Sequence, residues 1–177
     1  MDNAGTVLSM RRIPARTMVT LAIVALTVAG LAGTWLLRPH LQPNALDVVL
    51  PAVAVTGVLV RERWPVAALI AVMGATLAYY PYAKLDGPLI FLPFVVLYTA
   101  AERGHLVPAI AVGATGLIAM GRGETGEVRH VDDSAFLMIS GWVVAAIAAG
   151  SVSRNRGRYL REAERRAREA EQNREAE

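Results

Sequence analysis

Hydrophobic residues fall along this chain in long unbroken runs, with little of the alternation or face periodicity of a soluble fold. The first run extends from Met18 to Leu37 without a charge, long enough to cross a hydrocarbon core of about 30 Å as a helix. Arg11, Arg12 and Arg16 precede it, as in a signal peptide, but the run is long for such a core and more runs follow. These are Leu46 to Val60, Pro65 to Tyr80, Leu89 to Ala101, Leu106 to Met120 and Ala135 to Val152. Several are nearer 15 than 20 residues, so they are short spans that rely on local thinning or on their flanks. The fourth is the shortest and carries Pro93, which a membrane helix tolerates where neighbours satisfy the freed carbonyl. A soluble bundle would need a polar face on each helix, and these runs have almost none.

The pattern predicts an all-α integral membrane protein. Residues 1–17 form an N-terminal cytoplasmic segment, 18–152 a domain of six short transmembrane helices, and 153–177 a charged, coiled-coil-like cytoplasmic helix. Six spans place both termini on one side. Basic residues set which side: fourteen fall on the side of the termini, eight of them in the tail. Four fall on the other, namely Arg38, Lys84, Arg122 and Arg129. Basic residues accumulate on the cytoplasmic side, so the chain reads as a multi-pass cell-membrane protein with cytoplasmic termini. Trp35, Tyr79, Tyr80 and Tyr82 lie at outer ends and Trp64 and Tyr98 near inner ends, as in interfacial belts. Trp142 lies within the sixth run and reads as a packing residue.

Composition narrows the chemistry. A hydrophobic fraction of 54% exceeds that of ordinary soluble domains. The chain has no cysteine, hence no disulfide and no thiolate site. Its pI near 9.7 does not point to nucleic acid, because the basic residues flank apolar runs or alternate with acidic ones. No phosphate-binding glycine loop and no Ser-His-Asp set can be assembled, so no catalytic, cofactor or metal residue is assigned. The longest outer loop, Gly121 to Ser134, holds Glu124, Glu127, His130, Asp132 and Asp133, but their spacing matches no ligand motif and the loop reads as solvated. Asp47 fits an acidic first turn favoured by the helix dipole better than an intramembrane functional acid.

Two patterns suggest helix association. Gly141, Ala145 and Ala149, and in parallel Ala146 and Gly150, recur every four residues in the sixth run, and small faces let membrane helices approach closely. Either set serves a dimer or packing within the chain. In the tail, eight Arg alternate with six Glu, with Glu162–Arg166 and Glu164–Arg168 in the favourable i,i+4 order. Leu160, Ala163, Ala167 and Ala170 follow the 3-4 spacing of a thin coiled-coil seam over about two heptads. A solvated single helix fits the same stretch.

The tail from Arg158 through Arg161-Glu162-Ala163-Glu164-Arg165-Arg166 to Asn173-Arg174-Glu175 resembles the linker helix of sensor histidine kinases common in actinobacteria. Arg61-Glu62-Arg63-Trp64-Pro65 and Leu97-Tyr98-Thr99-Ala100-Ala101 are similar to the membrane region of the same family. The resemblance implies a membrane sensor and dimerisation portion, a homodimer in the lipid bilayer, that relays a signal toward a kinase module. ATP, Mg and a response regulator would belong only to the dimerisation-helix and ATP-binding domains that follow in the family. His40, His105 and His130 match no phosphoacceptor motif, so no catalytic residue carries over and the chain alone is expected to be inactive. A helix without a stop signal at Glu177 suggests a fragment or truncated gene product. A small transporter or channel subunit, which would want polar residues in its spans, and a stand-alone scaffold are the alternatives.

Overall fold

The computed structural model describes residues 15–37, 44–82, 88–123 and 133–176, and among these it is helical with no strand. Six helices follow in order: α1 (Ala15–Leu37), α2 (Ala45–Val60), α3 (Pro65–Tyr82), α4 (Leu92–Glu102), α5 (Leu106–Gly123) and α6 (Asp133–Ala176). They cover the six apolar runs, and α6 continues unbroken through the charged tail to Ala176. The fourth run differs: Pro88–Phe91 forms a 3-10 turn and only Leu92–Glu102 is α-helix. Pro93 sits in the first turn of α4, where its missing N–H has no intrahelical acceptor to lose, within the apolar helical stretch Pro88–Glu102.

Two helices, α3 and α6, are long and apolar enough to cross a membrane. Thr20–Thr34, Ala45–Val60, Pro88–Glu102 and Leu106–Arg122 are apolar but shorter. At 1.5 Å per residue, the 16 residues of α2 extend about 24 Å against a hydrocarbon core of about 30 Å.

Local chemistry starts and stops these helices. Asn44 caps α2: its Oδ1 accepts from the Ala45 N–H at 2.8 Å, and its own N–H donates to Asp47 Oδ2 at 2.6 Å, completing a capping box. Asp47 is 4% exposed and occupies the acidic first-turn position expected of it. At the other end of α2 the Arg63 and Trp64 N–H groups return to the Val60 carbonyl at 2.9 and 3.0 Å, making the turn into α3. α4 ends in a Schellman motif. The His105 N–H donates to Ala100 at 2.8 Å and the Gly104 N–H to Ala101 at 3.0 Å, with Gly104 at φ +93°.

The core runs through α3 and α4. Val58, Leu69, Val72, Tyr79, Leu92, Val96, Leu97 and Ala100 are buried at its centre. α2 lies along α3, α4 lies along α6, and α5 touches α3, α4 and α6. α1 meets α2 and the 3-10 turn. Small residues set these approaches. A Cβ on Gly57 would stand 2.5 Å from Val72 Cγ2, and one on Gly150 would strike the Tyr98 carbonyl oxygen and lie 2.8 Å from Ala101 Cβ. Around this core the surface is apolar: Leu26, Val48, Ile70, Val107, Leu137 and Val144 are each more than half exposed.

The aromatic placement separates into two kinds. Trp64 and Tyr82 project outward, as belt residues would. Tyr79 instead is 1% exposed, its ring edge-on to Tyr80 with centroids 5.7 Å apart, so it is a core residue and not part of a belt. Trp142 is 58% exposed and rests tilted on Phe94 at 6.3 Å, so it packs on one side only.

Gly150 and Gly141 make a direct comparison. Gly150→Ala forces α6 off the α4 backbone and should lower stability by about 1–3 kcal/mol. Gly141→Ala enters open space and should be neutral or gain up to about 1 kcal/mol from helix propensity. Thermal unfolding of the two variants in one detergent checks the ordering, and equal melting temperatures would contradict the close approach at Gly150.

Candidate functional site

Charged groups gather where α6 leaves the bundle. Arg61, the residue after α2, is only 7% exposed. Its Nε donates to Thr99 Oγ1 at 3.1 Å, one terminal nitrogen to the Val58 carbonyl at 2.7 Å, and the other to Thr20 Oγ1 at 2.8 Å. One guanidinium thus joins α1, the end of α2 and α4. Thr99 is held in turn, since its hydroxyl donates to the Val95 carbonyl at 2.8 Å and so offers its oxygen to Arg61. Burial lowers the Arg61 pKa from its ordinary value, while Glu62 and Glu102 nearby act to raise it. The group stays protonated, because arginine starts so far above neutral pH. A planar fork with fixed donors suits three acceptors from three directions, which an ammonium does not.

The next layer lies at the surface of the same end. Arg103 and Glu62 approach at 3.6 Å, with side chains 39% and 51% exposed, so the turn after α4 faces the turn after α2. Ser153 of α6 donates to Glu102 Oε1 at 3.2 Å. The Arg154 guanidinium lies on Gly104, where a Cβ would stand 2.6 Å from Arg154 Cζ. Glycine suits that turn for its positive φ, whereas the Arg154 guanidinium over it is the end of a flexible side chain that a Cβ could displace. Ser153 and Arg154 are the first residues of the polar half of α6. The helix is therefore held to the α4–α5 corner at the level where its character changes.

α6 crosses that level without interruption. Its 44 residues extend about 66 Å, with an apolar half against α4 and α5 and a charged half clear of the bundle. Leu160, Ala163, Ala167 and Ala170 lie along the exposed half, and Leu160 is 65% exposed. Arg166 and Glu162 meet at 2.5 Å and Arg168 and Glu164 at 3.9 Å, the i,i+4 pairs of the sequence pattern. Of the two small-residue sets, Ala146 and Gly150 lie against the bundle, and Gly150 is buried on α4. Gly141, Ala145 and Ala149 face outward. Ala145 and Ala149 line, with Phe94, Trp142 and Ile23, a groove of about 700 Å³ between α1, α4 and α6 whose end is formed by the charged cluster.

No group of three or more metal-ligating side chains occurs among the described residues. Glu124, Glu127, His130 and Asp132 of the longest loop lie outside the described residues, as do Arg38, His40, Lys84 and Arg129. In sequence Arg61 reads as a flanking charge and as part of the Arg61–Pro65 turn, and not as a buried hub. The signal that marks it is its place at the C-terminus of an apolar helix with threonines at matching depth on α1 and α4. No family model, curated protein or solved structure matches the chain.

Arg61 separates charge from geometry experimentally. Arg61→Lys keeps the charge but loses the fork, and Arg61→Met loses both. Each should destabilise the bundle, by about 1.5–3 kcal/mol where the bonds to the charged group are lost, with Met the more severe. Unfolding midpoints of both variants beside Arg63→Lys, an exposed neighbour expected to be silent, check this. An Arg61→Met protein as stable as wild type would sink the hub.

Proposed function

We propose that this chain is the membrane sensor and dimerisation portion of a two-component sensor histidine kinase, a six-span helical bundle that passes its state to the cytoplasm through α6. The observation that carries the reading is the continuity of α6, a single helix fastened to the bundle by Gly150, Ser153 and Arg154 and then projecting free as a charged rod. A rigid helix transmits a shift or rotation of its packed half directly to its free half, which a flexible linker does not.

Three further features support a lipid environment. Large apolar side chains cover the outside of the bundle, a pattern that water penalises and lipid does not. Thr27, Thr56, Thr76, Thr99 and Thr115, with Ser140 and Ser151, each donate to the carbonyl four residues earlier, so these hydroxyls need no water. Arg61, Arg63, Arg103 and the tail arginines lie at the end where α6 leaves, the end that the positive-inside bias assigns to the cytoplasm, while Arg122 closes α5 at the opposite end. The kinase assignment itself rests on the resemblance of the tail and of the Arg61–Pro65 turn.

The chain's lack of cysteine makes single substitutions unambiguous. In native membranes, Ala163→Cys and Ala167→Cys should give disulfide-linked dimers well above Arg165→Cys, which lies off the seam. Equal crosslinking at the three positions, or none, would count against a dimer through α6. Impermeant maleimide applied to intact cells should label Gln42→Cys and spare Ala163→Cys; the reverse result inverts the topology. The kinase reading has its own test in the coding sequence after Glu177. A phosphoacceptor His motif followed by an ATP-binding domain supports it, and an immediate stop codon weakens it.

A further inference from the structure

The groove between α1, α4 and α6 has two chemically distinct parts. Its apolar lining comes from Ile23 of α1, Phe94 of α4, and Trp142, Ala145 and Ala149 of α6, with Trp142 tilted on Phe94. Its end is formed by Arg61, Glu62, Glu102 and Arg103, two cations and two anions. At about 700 Å³ it falls within the roughly 300–1,000 Å³ of sites that take small ligands. The small side chains of Ala145 and Ala149 keep it open.

The ionic end is only partly self-satisfied. Arg61 is spent on Thr20, Thr99 and Val58, and Glu102 accepts from Ser153. Arg103 and Glu62 differ. At 3.6 Å they form a loose ion pair too long for a direct hydrogen bond, and both are more than a third exposed, so each keeps donors or acceptors open to a third group. A guanidinium with donors to spare thus stands beside a carboxylate with acceptors to spare. A purely anionic group placed there meets Glu62 and Glu102, and a purely cationic one meets Arg61 and Arg103. A group carrying an acceptor anion and a donor cation a few ångströms apart completes both.

We propose that this groove binds a phospholipid whose headgroup carries a phosphate and a primary ammonium, with one acyl chain lying against Ala145, Ala149, Phe94 and Trp142. The phosphate accepts from Arg103, and the ammonium donates to Glu62. A trimethylated ammonium has no N–H to donate, and a glycerol headgroup has no cation, so the site distinguishes phosphatidylethanolamine from phosphatidylcholine and phosphatidylglycerol. The inference rests on the membrane reading above and adds to it a particular lipid at a particular place.

Native mass spectrometry of the full chain, purified in detergent, stripped of lipid and offered an equimolar mixture of the three lipids with identical acyl chains, tests this. Phosphatidylethanolamine should be retained over either competitor by roughly tenfold, the factor that one charge-assisted hydrogen bond supplies. Glu62→Gln should erase the preference over phosphatidylcholine, Arg103→Gln should weaken retention of all three, and Ala149→Leu should block the groove. Ala149 is exposed and points away from the core, so its variant should retain the wild-type melting temperature. Equal retention of the three lipids, as bulk solvating lipid would give, overturns the proposal, and so does retention unchanged in Ala149→Leu. Fractionation of the same cells separates the two readings. Protein in the soluble fraction overturns the membrane reading and the site with it, whereas membrane-embedded protein without lipid selectivity overturns the site alone.

Discussion

Helices that are apolar on every side have no hydrophobic reason to choose one face over another, and that constraint governs this fold. In a water-soluble bundle, burial of an apolar stripe sets the rotation of each helix. Here the stripe is the whole circumference, and the backbone and hydroxyl hydrogen bonds close within each helix. Rotation and register then fall to steric notches and to the few polar groups that reach across. Val72 enters the notch at Gly57, the Met73 sulfur lies over Gly116, and the α4 backbone fills the notch at Gly150. α3 contributes two of these three contacts, which is why it sits at the centre although it is no longer than α5.

Arg61 adds what notches cannot, a directional link among three segments far apart in sequence. A buried charge is costly unless its donors are matched, and each nitrogen of this guanidinium has an acceptor. The consequence is greatest for α1. It touches little else, chiefly α2 and the 3-10 turn, where Pro88 packs into Gly30. Held at Gly30 toward one end and at Thr20 toward the other, it borders the groove without filling it.

Much of the architecture was legible in the chain. Unbroken apolar runs mark helices whose ends the structure places within a few residues, because charges and glycine or proline turns bound each run, except that α6 runs on past Val152 to Ala176. Asp47 was legible as a first-turn acid because capping is local chemistry, decided by three neighbouring residues. Facing was not legible. Gly141-Ala145-Ala149 and Ala146-Gly150 are equally regular in sequence, and only the neighbouring helix shows that Gly150 is buried while Gly141 is open. Tyr79 is buried where a belt residue was expected and Trp142 packs on one side only for the same reason, since periodicity in a uniformly apolar helix carries no record of which side is covered. Arg61 is hidden in a different way, looking in sequence like any basic flank and acquiring its role from Thr20 and Thr99, 41 and 38 residues away.

The charged half of α6 gains its meaning from the contrast between its two halves. The apolar half is fixed by tight contacts at Gly150 and by the polar fastening at Ser153 and Arg154. The charged half carries its own i,i+4 ion pairs, each adding about 0.2–0.5 kcal/mol to its helix. Its seam of one leucine and three alanines buries little apolar surface, so two such helices would gain only weakly from pairing. In the proposed dimer, a weak seam beyond a strong anchor would give the bundle control over how the two helices meet, because small shifts at the anchor would compare in energy with the pairing itself. A seam of leucines would instead hold one register whatever the bundle did.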